Sequence, residues 1–212
     1  MSSAAWQGSV QGCLWDDAAA PEFGRVAPLR TTLARGAWVD HQPGWLTGSD
    51  EVFDALTADV DWRAETRQMY DNVVAVPRLT CTYGERDALP HVSLAQARAA
   101  LSAHYRAELG EGFATVGLCH YRNGADSVAW HGDRIGRSRD ADTMVAILSL
   151  GEARPLLLRP RGGGASMRFL LGHGDLLVMG GSCQRTWDHA VPKTRRPVGP
   201  RISAQFRPRG VW

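Results

Sequence analysis

The spacing of apolar residues changes along this chain, and the change restricts the fold more than any other feature. After Gly112 the helical period gives way to alternation with a period of two, which is typical of strands. Short runs follow, separated by glycine-rich turns and without intervening helices, at residues 115–121, 127–133, 143–150, 154–159, 166–171, 175–180, 186–192 and 200–207. This succession predicts an all-β core, a jelly roll or double-stranded β-helix, rather than a parallel sheet.

Two helices are predicted ahead of this core, so that the fold is α+β overall with N-terminal helices packed on a jelly roll. Residues 47–56 have a helical period, and Ser49 is the expected N-cap. Residues 93–110 have the same period over a longer stretch. Ser93, three residues before a glutamine, fits a capping box, and Gly110 fits the position after the helix end.

The remaining composition predicts one globular domain. Residues 1–28 have no periodicity and are expected to form an extended lead-in, while residues 29–212 are long enough to bury a core of their own. No apolar run approaches the roughly 18 residues that cross a bilayer. The four cysteines have neither zinc-like nor disulfide-like spacing. We therefore expect a cytoplasmic monomer with reduced cysteines that binds neither a membrane nor an obligate protein partner.

The two halves of the chain differ in charge. Residues 1–119 contain 9 basic and 15 acidic side chains, whereas residues 120–212 contain 15 basic and 7 acidic ones. A basic half favours a phosphate-rich ligand, because neutralised phosphates release counterions. A solvated basic face is the alternative interpretation.

His131 and Asp133 in "SVAWHGDRIG" are the first candidates for a metal site. On a strand they project to the same side, roughly 6.6 Å apart along the backbone. A second "HGD" begins at His173 between glycines and predicts a turn. His189 in "QRTWDHAVPK" supplies a second imidazole from a later strand. Two imidazoles and one carboxylate are typical of an Fe(II) facial triad, with zinc as the second choice.

The last strand, "PRISAQFRP", predicts an anion site. Arg201, Ser203, Gln205 and Arg207 face one side of it. Burying two arginines on the face of a core strand reduces the stability of the fold unless anions pair with them. We expect Arg201 to bind a carboxylate of a dicarboxylate co-substrate and Arg207 to pair with Asp133. An exposed edge strand with solvated arginines is the alternative.

In this order, these segments resemble the AlkB family of Fe(II)- and 2-oxoglutarate-dependent dioxygenases. The similarity rests on "YRNGADSVAWHGD", "SLG", "GDLLVMGGSCQRTWDHAVPK" and "PRISAQFR", within about residues 70–208. It implies an iron site formed by His131, Asp133 and His189. It also implies a 2-oxoglutarate site formed by Tyr121, Arg201, Ser203, Gln205 and Arg207. Dioxygen is the other implied co-substrate.

The resemblance implies a DNA-repair enzyme that oxidises N-alkyl groups on damaged bases of DNA or RNA and releases formaldehyde. The alternative is a 2-oxoglutarate-dependent oxygenase that acts on a small molecule, a lipid or a protein side chain. A jelly-roll protein that binds metal without turnover is a third hypothesis. Arg201 and Tyr121 disfavour it, since a metal store needs no dicarboxylate site.

The segment "VPRLTCTYG" also resembles the family's nucleotide-recognition lid, which is predicted at about residues 70–95 beside a core at about 113–208. The predicted substrate contacts are Arg78, Tyr83, Arg134 and Arg137. Trp130 is predicted to be a core residue. The sequence departs from the family at three places. Cys119 occupies a position where the family often has asparagine, and Arg134 and Ile135 follow Asp133 where relatives often have an acidic residue. The aromatic residues expected in the lid are absent near residues 89–93. The last two leave the preferred base open.

Overall fold

The computed structural model describes residues 19–69 and 72–211, with the side chains of residues 66–75 outside that description. The strands in these ranges are β1 (Glu22–Phe23), β2 (Leu29–Thr32), β3 (Ala37–Gln42), β4 (Leu46–Thr47), β5 (Arg63–Met69), β6 (Asn72–Tyr83), β7 (Phe113–Tyr121), β8 (Val128–His131), β9 (Val145–Gly151), β10 (Arg154–Pro160), β11 (Met167–Leu171), β12 (Asp175–Gly181), β13 (Trp187–Val191) and β14 (Arg201–Pro208). The helices are α1 (Ser49–Asp59), α2 (Val92–Leu109) and α3 (Cys183–Thr186), with 3₁₀ turns at Ala34–Gly36 and Arg137–Arg139.

Two antiparallel sheets form the body of the protein. The large sheet has the strand order β2-β3-β12-β9-β14-β7-β6-β5, and the small sheet has the order β11-β10-β13-β8. One apolar cluster combines residues of both sheets, such as Ile147 and Leu177 from the large sheet and Leu158 and Val191 from the small one. The predicted jelly roll is therefore confirmed, and the space between its sheets is where a site can be enclosed.

Every run predicted after Gly112 contains an observed strand, and all ends agree within two residues. The two-residue difference at the end of the run 127–133 matters for the site, because β8 ends at His131. Asp133 therefore follows the strand instead of lying within it, and strand alternation alone does not set its direction.

The first half of the chain contains more strands than the sequence predicts. β2, β3, β5 and β6 extend the large sheet on both sides. β2 and β5 have the sequences "LRTT" and "RAETRQM" and lie at its two edges, where polar residues are tolerated and no apolar alternation is required. In the predicted lead-in, residues 19–28 include β1, which pairs with β4, while residues 1–18 lie outside the described part.

The two longer helices cover the large sheet on the side away from the small sheet. The helical period predicted for residues 93–110 is confirmed, since Leu94, Ala97, Leu101 and Tyr105 are all fully buried there and Leu109 is partly buried. Burying each leucine contributes about 1.5–3 kcal/mol to folding. With this side filled by the helices, the opposite side of the large sheet is left to form a site. No helix in the described ranges is long and apolar enough to span a membrane.

Both predicted N-caps are wrong. The N-cap of α2 is His91, whose Nδ1 accepts a hydrogen bond from the Ser93 backbone N–H at 3.2 Å. The N-cap of α1 is Gly48, whose φ is 61°. Ser49 instead donates its hydroxyl to the Leu46 carbonyl at 3.1 Å, because the preceding turn brings that acceptor closer than the free N–H groups of the helix. Gly110 ends α2 with a φ of 76°, as predicted.

Candidate active site

His131, Asp133 and His189 come together between the two sheets. His131 ends β8 and is paired in register with His189 on β13, and their ring centroids are 4.2 Å apart. Nε2 of His131 lies 3.6 Å from Oδ1 of Asp133. One ligand atom from each of the three residues lies within 4.8 Å of the other two. Metal–ligand bonds of about 2.1 Å can be made from such positions, so this donor set fits a divalent metal ion.

Gly132 and Gln184 place Asp133 beyond the end of β8. A Cβ atom at position 132 would lie 2.5 Å from the Gln184 carbonyl oxygen, so only glycine allows this close approach to α3. The buried side chain of Gln184 accepts a hydrogen bond from the Asp133 backbone N–H at 3.0 Å. The sequence reasoning missed Gln184. Its place five residues before His189 is the signal that could have indicated it.

Arg207 controls the charge of Asp133. Its Nε donates a hydrogen bond to Oδ2 of the carboxylate at 2.8 Å, and its Nη2 lies 2.8 Å from the same oxygen, which leaves Oδ1 directed toward His131. Burial opposes the charged form of Asp133, but Arg207 and the two imidazoles outweigh this effect and hold the pKa of the carboxyl well below its usual range. Asp133 is therefore ionised at neutral pH, which is the form that binds metal.

The two imidazoles are also in metal-binding form. Nδ1 of His131 lies 2.8 Å from the Ala129 carbonyl oxygen, which can only accept, so Nδ1 carries the proton and Nε2 presents its lone pair. Burial, with a smaller contribution from His131, lowers the pKa of His189 to about 3. His189 is therefore neutral at physiological pH.

A cavity of about 180 Å³ adjoins the three residues and reaches Arg201 at its deep end. Arg201 is 1% exposed, and its Nε donates to the Ser149 hydroxyl at 3.0 Å. Its Nη1 has no hydrogen-bond partner among the described residues. Burial lowers the pKa of Arg201, and Tyr121 opposes this effect, but a guanidinium stays charged in proteins. A buried charge with a free donor reduces the stability of the fold unless an anion pairs with it. This end of the cavity therefore fits a carboxylate.

Tyr121 also lines the deep end, and Arg154 lies close to its ring but outside the cavity lining. The guanidinium carbons of Arg201 and Arg154 lie 5.3 Å and 5.8 Å from the Tyr121 ring centroid. Arg154 is 1% exposed and donates to the carbonyl oxygens of Asn123, Asp126 and Pro192 at 2.8–3.1 Å. The sequence reasoning missed Arg154. An arginine that opens the apolar strand "RPLLL" is the only local signal.

The alternation predicted for the last strand is confirmed. Its polar residues line the cavity, namely Arg201, Ser203, Gln205 and Arg207. Its apolar residues, Ile202, Ala204 and Phe206, belong to the cluster beneath the helices. Cys119 also lines the cavity, with its Sγ 3.6 Å from Gln205 Nε2.

The structure separates the four predicted substrate contacts. Arg78 lines the cavity and donates from Nη1 to the Ser127 carbonyl at 3.3 Å. Tyr83 packs against the cluster beneath the helices, on the opposite face of the large sheet. Arg134 lies 3.5 Å from Asp188, and Arg137 forms an ion pair with Glu111; neither arginine lines the cavity.

Two further assignments can be compared with the structure. His173 lies in the turn between β11 and β12, as predicted, and its Nδ1 accepts a hydrogen bond from the Gly151 N–H at 2.6 Å. The prediction that Trp130 is a core residue is wrong. Its half-buried ring lies 4.1 Å from the guanidinium carbon of Arg159 and belongs to neither apolar cluster, because at the edge of the small sheet a stacked cation covers the ring instead.

Comparisons with known proteins agree with this geometry. Residues 82–207 match the 2OG-Fe(II) oxygenase superfamily. The chain is 34% identical over 200 residues to alpha-ketoglutarate-dependent dioxygenase alkB homolog 3 of Bos taurus, covering 80% of this chain and 67% of that protein. It is 32% identical over 188 residues to the Homo sapiens protein of the same name, covering 77% and 64%. It is 27% identical to DNA oxidative demethylase ALKBH2 of Arabidopsis thaliana, covering 85% and 70%.

Solved structures show the same fold at low sequence identity. The structure of OsALKBH1 aligns with a TM-score of 0.58 and 14% identity over 85% of this chain and 100% of that one. A prolyl hydroxylase from Trichoplax adhaerens aligns with a TM-score of 0.59 and 13% identity, covering 82% and 84%. The chain spans about two thirds of the length of the Bos taurus and Homo sapiens proteins. It belongs to the AlkB family within the 2OG-Fe(II) oxygenase superfamily, whose members use Fe(II), 2-oxoglutarate and dioxygen.

Proposed function

We propose that this protein removes alkyl groups from the nitrogen atoms of damaged nucleic-acid bases by oxidation. One observation carries the proposal: a facial set of two imidazoles and one carboxylate shares a cavity with a buried guanidinium that has a free donor. The named activities of the similar proteins, a dioxygenase and a DNA oxidative demethylase, supply the substrate class.

His131, Asp133 and His189 are the proposed iron ligands. Three protein ligands on one side of an ion leave coordination positions for the co-substrates. When bound, the iron supplies the oxidation of the alkyl carbon, in which dioxygen and 2-oxoglutarate become succinate, carbon dioxide and the oxygen atom of formaldehyde. The contribution of Arg207 is to keep Asp133 ionised and to fix its orientation through a hydrogen bond from Nε and the ion pair that accompanies it.

Arg201 and Tyr121 are the proposed partners of the far carboxylate of 2-oxoglutarate. The free Nη1 of Arg201 offers a charge-assisted hydrogen bond, and the Ser149 hydroxyl holds the guanidinium in place. Burial raises the pKa of Tyr121 to about 12, so its hydroxyl keeps its proton and can donate at neutral pH. Ser203, Gln205 and Arg207 lie along the same strand toward the iron end, so we assign them to the same co-substrate site.

The strands β5 and β6 form a hairpin at the edge of the large sheet, and β6 lies within the predicted nucleotide-recognition lid. Arg78 projects from this hairpin into the cavity and is the strongest of the four candidates for contact with the nucleic acid. Arg134 and Arg137 already pair with acidic residues of the protein, which reduces their attraction for phosphate. Tyr83 is directed to the other face of the sheet, so we leave it out of the proposed site.

The proposal is tested with single-stranded oligonucleotides that contain one N-methylated base. Purified protein, reconstituted with Fe(II), is incubated with 2-oxoglutarate, and the oligonucleotide mass and the succinate and formaldehyde released are measured. We expect a loss of one methyl group and equal amounts of formaldehyde and succinate. Succinate formation with another compound, together with unchanged oligonucleotides, would instead support an oxygenase of small molecules, lipids or protein side chains.

The cellular compartment remains a prediction. Cys81, Cys119 and Cys183 are free thiols, and Cys13 lies outside the described residues. We propose a cytoplasmic location from this cysteine usage, because free thiols persist in reducing compartments. Fractionation of cells that produce the protein at its natural level is the direct test.

A further inference from the structure

A second cavity continues from the first along the large sheet. It has a volume of about 230 Å³ and shares with the first cavity five lining residues, Arg78, Cys119, Ile135, Gln205 and Arg207. We refer to this second cavity as the threonine trough. Because it opens directly beside Asp133 and Arg207, a group bound in it lies next to the metal site.

The threonine trough is lined by small polar side chains of neighbouring strands. Thr80 and Thr82 on β6 are paired with Cys119 and Gly117 on β7, and Thr115 faces the same space. At position 117 a Cβ atom would lie 2.9 Å from Nη1 of Arg207, so glycine keeps the floor open. A flat polar ring has room here, and it meets hydroxyl groups rather than aromatic side chains.

Glu65 provides the carboxylate of the threonine trough. It is an exposed residue of β5, and its Oε1 accepts a hydrogen bond from the Thr80 hydroxyl at 2.6 Å. The register of the β5–β6 hairpin shifts beside it, from Ala64 opposite Leu79 to Thr66 opposite Ala75. Such an irregularity redirects a side chain, and here Thr80 holds the carboxylate on the cavity side of the sheet.

The charges on the two sides of the shared region differ. In the first cavity, Arg201 faces the space that a doubly negative co-substrate fits, while Arg78 lines the region that both cavities share. Arg207 is already neutralised by Asp133. Among the described residues that line the threonine trough, Glu65 is the one with a carboxylate, and no arginine forms an ion pair with it there. The end of the trough at Glu65 therefore favours a ligand with N–H donors and positive charge.

We propose that the threonine trough holds the base to be dealkylated and that Glu65 selects bases made cationic by N-alkylation, accepting a hydrogen bond from their exocyclic amine. Thr80 is a positioning residue that orients Glu65. This inference rests on the proposed function. It assigns the choice of base to a residue of β5, outside the loop that follows Asp133.

Two substrates with the same alkylated atom test the proposal. One oligonucleotide contains 3-methylcytosine, which is cationic and has an exocyclic amine, and the other contains 3-methylthymine, which is neutral and has none. For Glu65→Gln we expect kcat/KM for 3-methylcytosine to fall about tenfold and that for 3-methylthymine to change less than about twofold, since a charge-assisted hydrogen bond is replaced by a neutral one. Glu85→Gln is the matched control, because Glu85 pairs with Arg209 and lines neither cavity.

Thr80 gives a second, independent measurement. For Thr80→Val we expect KM for 3-methylcytosine to rise with little change in kcat, and for Thr80→Ser, which restores the hydroxyl, we expect wild-type values. A loss in Glu65→Gln that is equal for both bases, or absent for both, overturns the role of Glu65 while the proposed function stands. If the wild-type protein demethylates neither oligonucleotide but oxidises another compound, the proposed function fails, and this inference fails with it.

Discussion

The deep end of the first cavity and the threonine trough are built in opposite ways. At the deep end, Arg201 and Tyr121 are at most 2% exposed and lie on central strands. In the trough, Glu65 is exposed and lies on the edge strand β5. In the proposed function, a co-substrate that never changes is bound by groups inside the core, where few rotamers are available. The base must enter and leave, and the group proposed to select it lies where substitution costs the fold little.

The proposed metal ligands lie between these two regions, and removing one has the largest expected effect. Asp133→Ala should reduce product formation below about 0.1% of the wild-type rate, because the metal-dependent step is lost. Asp188→Ala, which changes a carboxylate on the other face of β13, should leave activity within about threefold. Succinate release and metal content report the result, and circular dichroism confirms the fold. Turnover retained by a metal-loaded Asp133→Ala protein would contradict the assigned ligands.

The deep end is tested next by Arg201→Lys. We expect kcat/KM for 2-oxoglutarate to fall about 30-fold, mainly through KM, since an ammonium group cannot bond Ser149 and a carboxylate from the positions of the guanidinium Nε and Nη1. Arg161→Lys on the exposed turn after β10 is the control. Steady-state kinetics with varied 2-oxoglutarate separate the two constants. A normal KM in Arg201→Lys would show that the dicarboxylate binds elsewhere.

Arg207 lies at the boundary between the two regions, and its effect depends on pH. In the wild-type protein the pKa of Asp133 is depressed, so the carboxylate stays ionised as the pH falls. Without the guanidinium, burial is no longer outweighed and raises this pKa above its usual value. The midpoint of metal binding in Arg207→Gln should therefore move to higher pH by about one unit. Cobalt(II) absorbance between pH 4 and pH 8 measures the midpoint, with Arg209→Gln as control. If the cobalt(II) absorbance of the wild-type and Arg207→Gln proteins depended on pH in the same way, a ligand other than Asp133 would set the midpoint.

The smallest effect is expected outside both regions. Arg134→Ala should change KM for a methylated oligonucleotide less than about twofold, because the guanidinium pairs with Asp188 and does not line the trough. Fluorescence anisotropy at two salt concentrations measures the binding. A loss of about tenfold that disappears at high salt would instead place the nucleic acid along the outer face of the small sheet.

Some of these features follow from local patterns, and those the sequence predicts well. Alternation in "PRISAQFRP" assigned Arg201 and Arg207 to one face, because side chains of a strand must alternate whatever the strand pairs with. The spacing of His131, Asp133 and His189 likewise indicated a metal site that the structure brings together. The caps of α1 and α2 were predicted wrongly, because a nearby carbonyl and a histidine ring, which the pattern does not include, compete for the same hydrogen bonds.

Other features depend on which segments meet, and only the tertiary structure decides them. Gln184 supports Asp133 because α3 crosses beside Gly132, and Arg154 reaches three carbonyl oxygens from separate loops. Glu65 lines the threonine trough because an edge strand pairs with β6 through an irregular register. The periods of helices and strands are local properties of the chain. Contacts between distant segments depend on strand order and register, which no single segment contains.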